Sequence, residues 1–397
     1  MFKLLNQRTR LTLLPVGNEE NTNEKRIDVP SVDKTKLRKI IINQIENLTL
    51  MVIKQICSGL SPSVSMPSNQ ETTESPEYEN EINEPDIETL IFDEMEFEDY
   101  VTRTIDFSRA QSRQKFVLLT KVMATAHQLL QTNFTITRRS FYYDLKSNMT
   151  DTLAPTQRYV DVAVNDVAEL LGCAPWDLRL VPSSKGLISG DLTLYLENDQ
   201  AIDCTVPGGA LIPQIIPNIT SIRSRADFVL VVEKDAMFQI LLEDKTTRAL
   251  NCILITGKGY PDVATRMLVK ILSDKLDLPV YIVVDADPFG MDIMCIYRFG
   301  SSVLSMKNDS LVCPRMRWLG IHPTELNELG AKTTPLSKLD LSRLTSIESR
   351  GYMTETLLRQ TRIMRRGKAE IEAVSSSCRN FLTATYLSWK IKGNDYI

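Results

Sequence analysis

The chain has 397 residues, 43% hydrophobic and 24% charged, which is room for two or three domains with a sizeable core. No apolar run approaches a membrane span, Arg8 and Arg10 interrupt any secretory leader, and seven scattered cysteines without a C-x-x-C pair argue against a disulfide scaffold or a zinc site. The net charge of −4 divides unevenly: residues 71–100 carry thirteen Asp or Glu and no Lys or Arg, so the remainder carries +9 (−4 less −13) and suits a phosphate-rich partner.

Residues 33–58 predict an amphipathic helix, with Leu37, Ile41, Ile45, Leu48, Val52 and Ile56 recurring at steps of three or four. Such a helix serves either to pack against the body or to dock a partner protein. Residues 59–100, rich in Ser, Pro, Asn and Glu, predict a disordered acidic linker. Order resumes near residue 108. A helix is expected over 110–131, a second over RRSFYYDLKS with Thr137 as its cap, and a third from Pro155 or Thr156 to Gly172. LRLVPSSKGLISGDLTLYL then reads as a β-hairpin, and three helices with a hairpin spell a winged helix, a DNA-binding architecture.

The Pro- and Gly-rich stretch 206–226 predicts a connector. From Asp227 the pattern alternates strand and helix: FVLVV, 235–245, CILIT, 262–277, YIVV and 289–299, a Rossmann-like βαβ series. Residues 300–397 are mixed, with a charged helical stretch near 354–386, and are read as completing the same domain.

Chemistry concentrates at the strand ends. FVLVV ends in Glu233, and YIVV ends in Asp285 and Asp287 with Pro288 and Gly290 behind. Parallel strands bind ligands at their carboxyl ends, and three acids there suit Mg2+, a hard cation that takes carboxylate and phosphate oxygen together. The bland alternative for Asp287 is a helix N-cap. No Walker lysine motif is present, so ATP use is not suggested.

In RRSFYYD, Tyr142 and Tyr143 are helical neighbours and face different ways, so one packs while the other is presented. A tyrosine beside arginines suits phosphoryl transfer, because guanidinium groups hold the phosphodiester; a core tyrosine beside surface arginines is the alternative. ITGKGYPD, residues 255–262, has glycines that let backbone N–H groups approach phosphate, with Lys258 between them, Tyr260 placed to stack on a base or sugar, and Asp262 as a helix cap. SSKGLISG offers Lys185 to a DNA backbone or is a plain turn.

Taken together these residues resemble the meiotic DNA double-strand-break transesterases related to the A subunit of topoisomerase VI. The resemblance runs over residues 108–323, through Arg139 to Tyr143, SSKGLISGDL, FVLVVEKDAMF, ILITGKGYPD, TRMLV, VVDADPFGMDIMCIYRFGS and RWLGIHP. Glu followed by Asp-x-Asp is the wider Toprim pattern; the tyrosine block and GLISG narrow it. The chain has Ser140 and Phe141 where the family usually has Asp-Ile.

The resemblance implies an N-terminal extension over 1–107, an α+β winged-helix domain over 108–205 and, after the connector, a Toprim domain over 227–397. It implies Tyr143 as the nucleophile with Arg139 beside it and Glu233, Asp285 and Asp287 as Mg2+ ligands, to which the residue reading adds Lys185, Lys258 and Tyr260 at the DNA. It further implies a 5′-phosphotyrosyl intermediate in double-stranded DNA and a homodimer on DNA with each site shared between protomers. Accessory break-formation proteins, a topoisomerase VI B-like partner subunit, and a nuclear, chromosomal location are implied as well. Alternatives are the A subunit of a type IIB topoisomerase itself and a non-catalytic DNA-binding assembly protein.

Overall fold

The computed structural model describes residues 24–29, 34–68, 101–147, 153–197, 199–301, 310–375 and 381–397. Residues 1–23 and the segment 69–100, which holds the acidic block, lie outside these. No helix of the described residues is long and apolar enough to cross a membrane.

Strand β1 (Lys25–Asp28) is followed by helix α1 (Lys34–Cys57). Ile41 and Ile45 of α1 are buried, whereas Ile40, Leu50, Met51, Ile53 and the stripe residue Ile56 are exposed. The inner face therefore packs on the body and the outer face is left bare. Strands β2 (Ser63–Ser68) and β3 (Val101–Asp106) pair antiparallel, with Val64 opposite Ile105. This corrects the expectation of disorder over the first part of 59–100, since residues 63–68 form a strand, and of order only from near 108, since a strand covers 101–106; residues 69–100 lie outside the described residues. Val64, Met66 and Ile105 are drawn into one core with α2, a long-range pairing that local composition does not signal.

Helices α2 (Ala110–Thr132), α3 (Arg138–Ser147) and α4 (Gln157–Leu170) fall where the periodicity puts them. Phe116, Leu119, Val122, Met123, Ala126, Leu129 and Leu130 of α2 face inward. Thr137 caps α3, its Oγ1 accepting the Ser140 N–H at 3.0 Å. The short β4 (Ile136–Thr137) pairs parallel with β5 (Leu180–Val181). The core of these helices includes Ile41, Ile45, Val64, Met66 and Ile105, so the described parts of residues 34–106 share it with helices α2–α4.

The hairpin read around residues 178–196 is not formed. Strand β6 (Leu187–Ser189) joins a six-stranded sheet, while β7 (Leu192–Leu196) lies in a four-stranded one between β8 (Ala201–Asp203) and β10 (Ile219–Ser224), with β1 at its edge. The connector is structured as well, since β9 (Ala210–Leu211) pairs with β6. Both segments are short and apolar, so their partners were a matter of tertiary competition rather than of the intervening turn.

The six-stranded sheet has the order β14-β13-β11-β12-β6-β9, with β11 (Phe228–Val232), β12 (Cys252–Thr256), β13 (Val280–Val283) and β14 (Met316–Gly320) parallel. Every residue of β11, β12 and β13 is buried, as expected of β-branched runs covered on both faces. Val229 and Val231 point to one core, with residues of α7 (Val263–Lys275) and α8 (Pro288–Phe299). Phe228, Leu230 and Val232 point to the other, with α5 (Asp235–Glu243) and the C-terminal segments. After the short α6 (Thr246–Ala249) and β12, the chain crosses back over β11, so β12 and β13 flank β11 on opposite sides. The C-terminal part adds α9 (Lys338–Glu348), α10 (Glu355–Met364), α11 (Ile371–Ser375) and α12 (Ser388–Lys392).

Candidate active site

The reversal of strand order between β11 and β13 opens the rim where an open α/β sheet binds ligands. Val232 is level with Val283, so Glu233 and Asp285 emerge side by side. The Asp285 N–H donates to Glu233 Oε2 at 2.9 Å. Asp287 caps α8, accepting the Gly290 N–H at 2.7 Å, which is the local role its position before Pro288 suggested. Only glycine fits at 290: a Cβ there would lie 2.5 Å from the Asp285 carbonyl oxygen and 3.0 Å from Glu233 Oε2.

These acids are buried together, Glu233 being 8% and Asp285 3% exposed. Burial, then the Asp285 charge, pushes the Glu233 carboxyl up to about 8. Burial pushes Asp285 up to about 6 against the pull of Lys234, and Asp287 is raised by burial too. Crowded carboxylates held out of water call for a cation. Among the described residues no three of them already form a metal cage. Instead Asp285 Oδ2 is 2.8 Å from the Lys234 ammonium, and Asp287 is occupied with its helix. The donors are hard oxygens and their electrostatics fit Mg2+, provided Asp285 Oδ2 exchanges Lys234 for the ion.

Lys234 was not singled out from sequence, although it follows Glu233 directly. Its ammonium also lies 3.3 Å from both Glu370 and Glu372. Burial would lower its pKa, but Asp285, Glu372 and Glu370 raise it overall. The segment carrying these glutamates folds back onto the rim. The Ile371 N–H donates to Asp285 Oδ1 at 2.9 Å, and Ala369 forms an antiparallel bridge with Ala286, the residue between the two aspartates.

The glycine-rich turn after β12 joins the same rim. Thr256 Oγ1 and the Gly259 N–H donate to the Glu233 carbonyl at 3.1 and 2.9 Å. Lys258 sits at φ +55° with its ammonium 3.2 Å from Asp235. Tyr260 packs against the core and donates to Asp292 at 2.8 Å; Arg343 and Arg350 also reach Asp292. Asp262 caps α7 through the Thr265 N–H at 2.7 Å and with its other oxygen accepts the Lys185 N–H at 2.8 Å. The Lys185 loop is thus tied to the Lys258 turn.

Tyr143 belongs to a different surface. It is 53% exposed on α3, with an Arg139 guanidinium nitrogen 3.4 Å from its hydroxyl and the guanidinium carbon 5.8 Å from its ring centre. Tyr142 packs against the helical core and donates to the Pro155 carbonyl at 3.3 Å. Arg138 anchors the helix: buried, it reaches Asp161 at 3.2 Å, Asn165 at 3.3 Å and the Leu180 carbonyl at 3.3 Å. The hydrogen bonds and ring contacts of Tyr143 are to Arg139 and Tyr142, none to the acids of its own chain.

Comparison with known proteins places both surfaces in one lineage. The Toprim-domain family of the topoisomerase 6 A-subunit/Spo11 proteins matches residues 228–391, and the family described as "Type IIB DNA topoisomerase" matches residues 114–180. The chain is 35% identical over 367 residues to the meiotic recombination protein SPO11 of Homo sapiens, covering 90% of this chain and 88% of that protein. It is 32% identical over 370 residues to the A3 subunit of DNA topoisomerase 6 of Oryza sativa subsp. indica, covering 90% and 78%. The meiotic recombination protein W68 of Drosophila melanogaster is 35% identical over 300 residues, covering 74% and 88%. An α/β sheet domain with acids at its switch point, a presented tyrosine on a separate helical domain, and identity running through both show that the chain belongs to the Spo11/topoisomerase VI A subunit family of DNA-cleaving transesterases.

Proposed function

We propose that the protein makes double-strand breaks in duplex DNA that initiate meiotic recombination, with Tyr143 as the nucleophile. The observation that carries this reading is the presentation of Tyr143 beside Arg139 while Tyr142 is packed away. The Tyr143 hydroxyl gives up its proton as its oxygen bonds to phosphorus, the bond to the 3′ oxygen breaks, and that oxygen takes up a proton and leaves as a hydroxyl, so no net proton is consumed. One phosphodiester is exchanged for another, so neither water nor ATP is consumed. Arg139 balances charge on the phenolate and the phosphate. Glu233, Asp285 and Asp287 would hold Mg2+, which would offset the negative charge of the phosphate there. Helices α2–α4 serve as a helical DNA reader without the hairpin wing expected at 178–196, and Lys185, Lys258 and Tyr260 line the DNA on the sheet side, the last two through side chains already oriented by Asp235 and Asp292.

Because Tyr143 makes no contact with its own chain's acids, two protomers on DNA would each lend a tyrosine to the other's acids. Accessory proteins with a topoisomerase VI B-like subunit would assemble the dimer, with the bare outer face of α1 as the docking surface, on chromosomes in the nucleus. A mixed dimer of one Tyr143→Phe chain and one Glu233→Gln chain tests the arrangement. Shared sites leave one intact, giving nicked DNA with one protomer covalently attached in Mg2+; an absence of nicking in proven heterodimers rules sharing out.

A second reading, the A subunit of a strand-passing topoisomerase, is favoured by the match to the rice topoisomerase subunit. ATP-dependent relaxation with a B-type partner would select it. Non-catalytic assembly would show as DNA binding without attachment.

A further inference from the structure

The charged stretch of α10 and its exit has no part in the chemistry of the tyrosine or the acid rim. The helix is two-faced: Leu357, Gln360, Thr361 and Met364 are buried, while Arg359 and Arg362 are exposed, as are Arg365 and Arg366 in the turn that follows. Arg359 and Arg362 lie three residues apart on one face of the helix, and Arg366 follows in the turn after it, its N–H donating to the Ile363 carbonyl at 3.0 Å. Arg362 is paired with Glu355 at 2.6 Å and Arg365 with Glu348 at 2.5 Å. Arg359 and Arg366 have no side-chain hydrogen bond or ion pair among the described residues, so two charges on this face are uncompensated.

A short tether joins these arginines to the acid rim. Three residues after Arg366, Ala369 is bridged to Ala286 between the two aspartates. Three extended residues span at most about 11 Å. Along the helix, Arg359 and Arg366 are separated by about 10 Å, the axial rise of about three nucleotides of one strand.

We propose that the outer face of α10 is a phosphate-binding ledge for duplex DNA beside the metal acids, with Arg359 and Arg366 taking backbone phosphates a few nucleotides from the one that is cut. This rests on the DNA-cleaving reading. Guanidinium groups match phosphate geometry, and two unpaired ones, one on the helix and one in the turn that ends it, hold phosphates without reading sequence. An exposed arginine pair without this role would be a solvated face.

The test uses the full chain carrying Tyr143→Phe, so that binding is measured without cutting. Duplex affinity is followed across salt concentrations for Arg359→Ala/Arg366→Ala and for Lys275→Ala/Arg315→Ala, which removes the same charge at the opposite rim of the sheet. The ledge predicts that the first pair lowers the slope of log K against log salt by about 1.8, at 0.9 per phosphate contact, and weakens binding at least tenfold. The second pair should barely change it. Arg359→Lys/Arg366→Lys should restore the slope, and all variants should keep the parental melting temperature. A slope unchanged in the first pair, or lowered equally in both, overturns the ledge and leaves the cleavage reading standing; the first result would direct attention to an acidic protein partner for this face. If the Tyr143→Phe parent itself shows no salt-dependent DNA binding, both fall.

Discussion

The tyrosine helix and the acid rim solve opposite problems. Tyr143 stands half-exposed on a ten-residue helix, with Arg139 beside its hydroxyl and the helix itself anchored from beneath by Arg138. The acids stand at the ends of fully buried strands, so the sheet forces them together against their own repulsion. The first site depends on presentation, and its chemistry separates from its stability. The second stores electrostatic cost in the fold, and there the two are coupled.

That contrast can be broken most directly at the hydroxyl. Tyr143→Phe should reduce covalent attachment to duplex DNA by more than about a thousandfold while leaving the melting temperature unchanged, because an exposed oxygen contributes little to folding. Full attachment by this variant, with loss in Tyr142→Phe, would move the nucleophile by one residue. Beneath the helix the expectation reverses. Burial pushes Asp161 up and Arg138 down, so neither charge tolerates losing the other. Arg138→Ala should cost about 3–5 kcal/mol in denaturant unfolding, since it leaves Asp161 buried without its cation; a cost under about 1 kcal/mol would mean that α3 is held by its apolar contacts alone.

At the rim, Glu233→Gln should abolish the Mg2+ response and yet raise the melting temperature of the metal-free protein. The pH dependence sharpens the same point. The folded values of about 8 for Glu233 and about 6 for Asp285 lie above the ordinary carboxylate range, so between that range and pH 8 the folded state binds more protons than the unfolded. The contribution of these two carboxyls to metal-free stability is therefore greatest below the ordinary carboxylate range and is lost as pH rises to about 8, and the stabilisation by Mg2+ should grow from pH 6 to pH 8. Thermal melts with and without Mg2+ at both pH values check the sign; a shrinking Mg2+ effect would contradict it. The smallest effect belongs to Tyr142→Phe. Losing the bond to the Pro155 carbonyl should cost about 0.5–1.5 kcal/mol and leave attachment intact.

Much of the sheet domain was legible because its signals are local. FVLVV, CILIT and YIVV read as buried parallel strands, and Asp262 and Asp287 read as helix caps; each was found there. The division between Tyr142 and Tyr143 followed from helical geometry in the same way. What failed involved partners distant in sequence. Nothing in SVSMPS announces a pairing with residues 101–106, and nothing in GLIS or LTLYL says that the two strands enter different sheets. The return of residues 367–372 to the acids was equally invisible, and with it the triple engagement of Lys234.

By itself, then, the sequence determined the residue types and their local frames: which strands are buried, which helices are capped, that the two tyrosines face different ways and which acids end the strands. The tertiary structure decided who meets whom. It set Glu233 beside Asp285 through the order of β11 and β13, closed residues 367–372 over them, and left Tyr143 on another surface. The physical reason is that propensity and periodicity act within a few residues, whereas strand order and the pairing of buried charges are settled by competition across the whole chain.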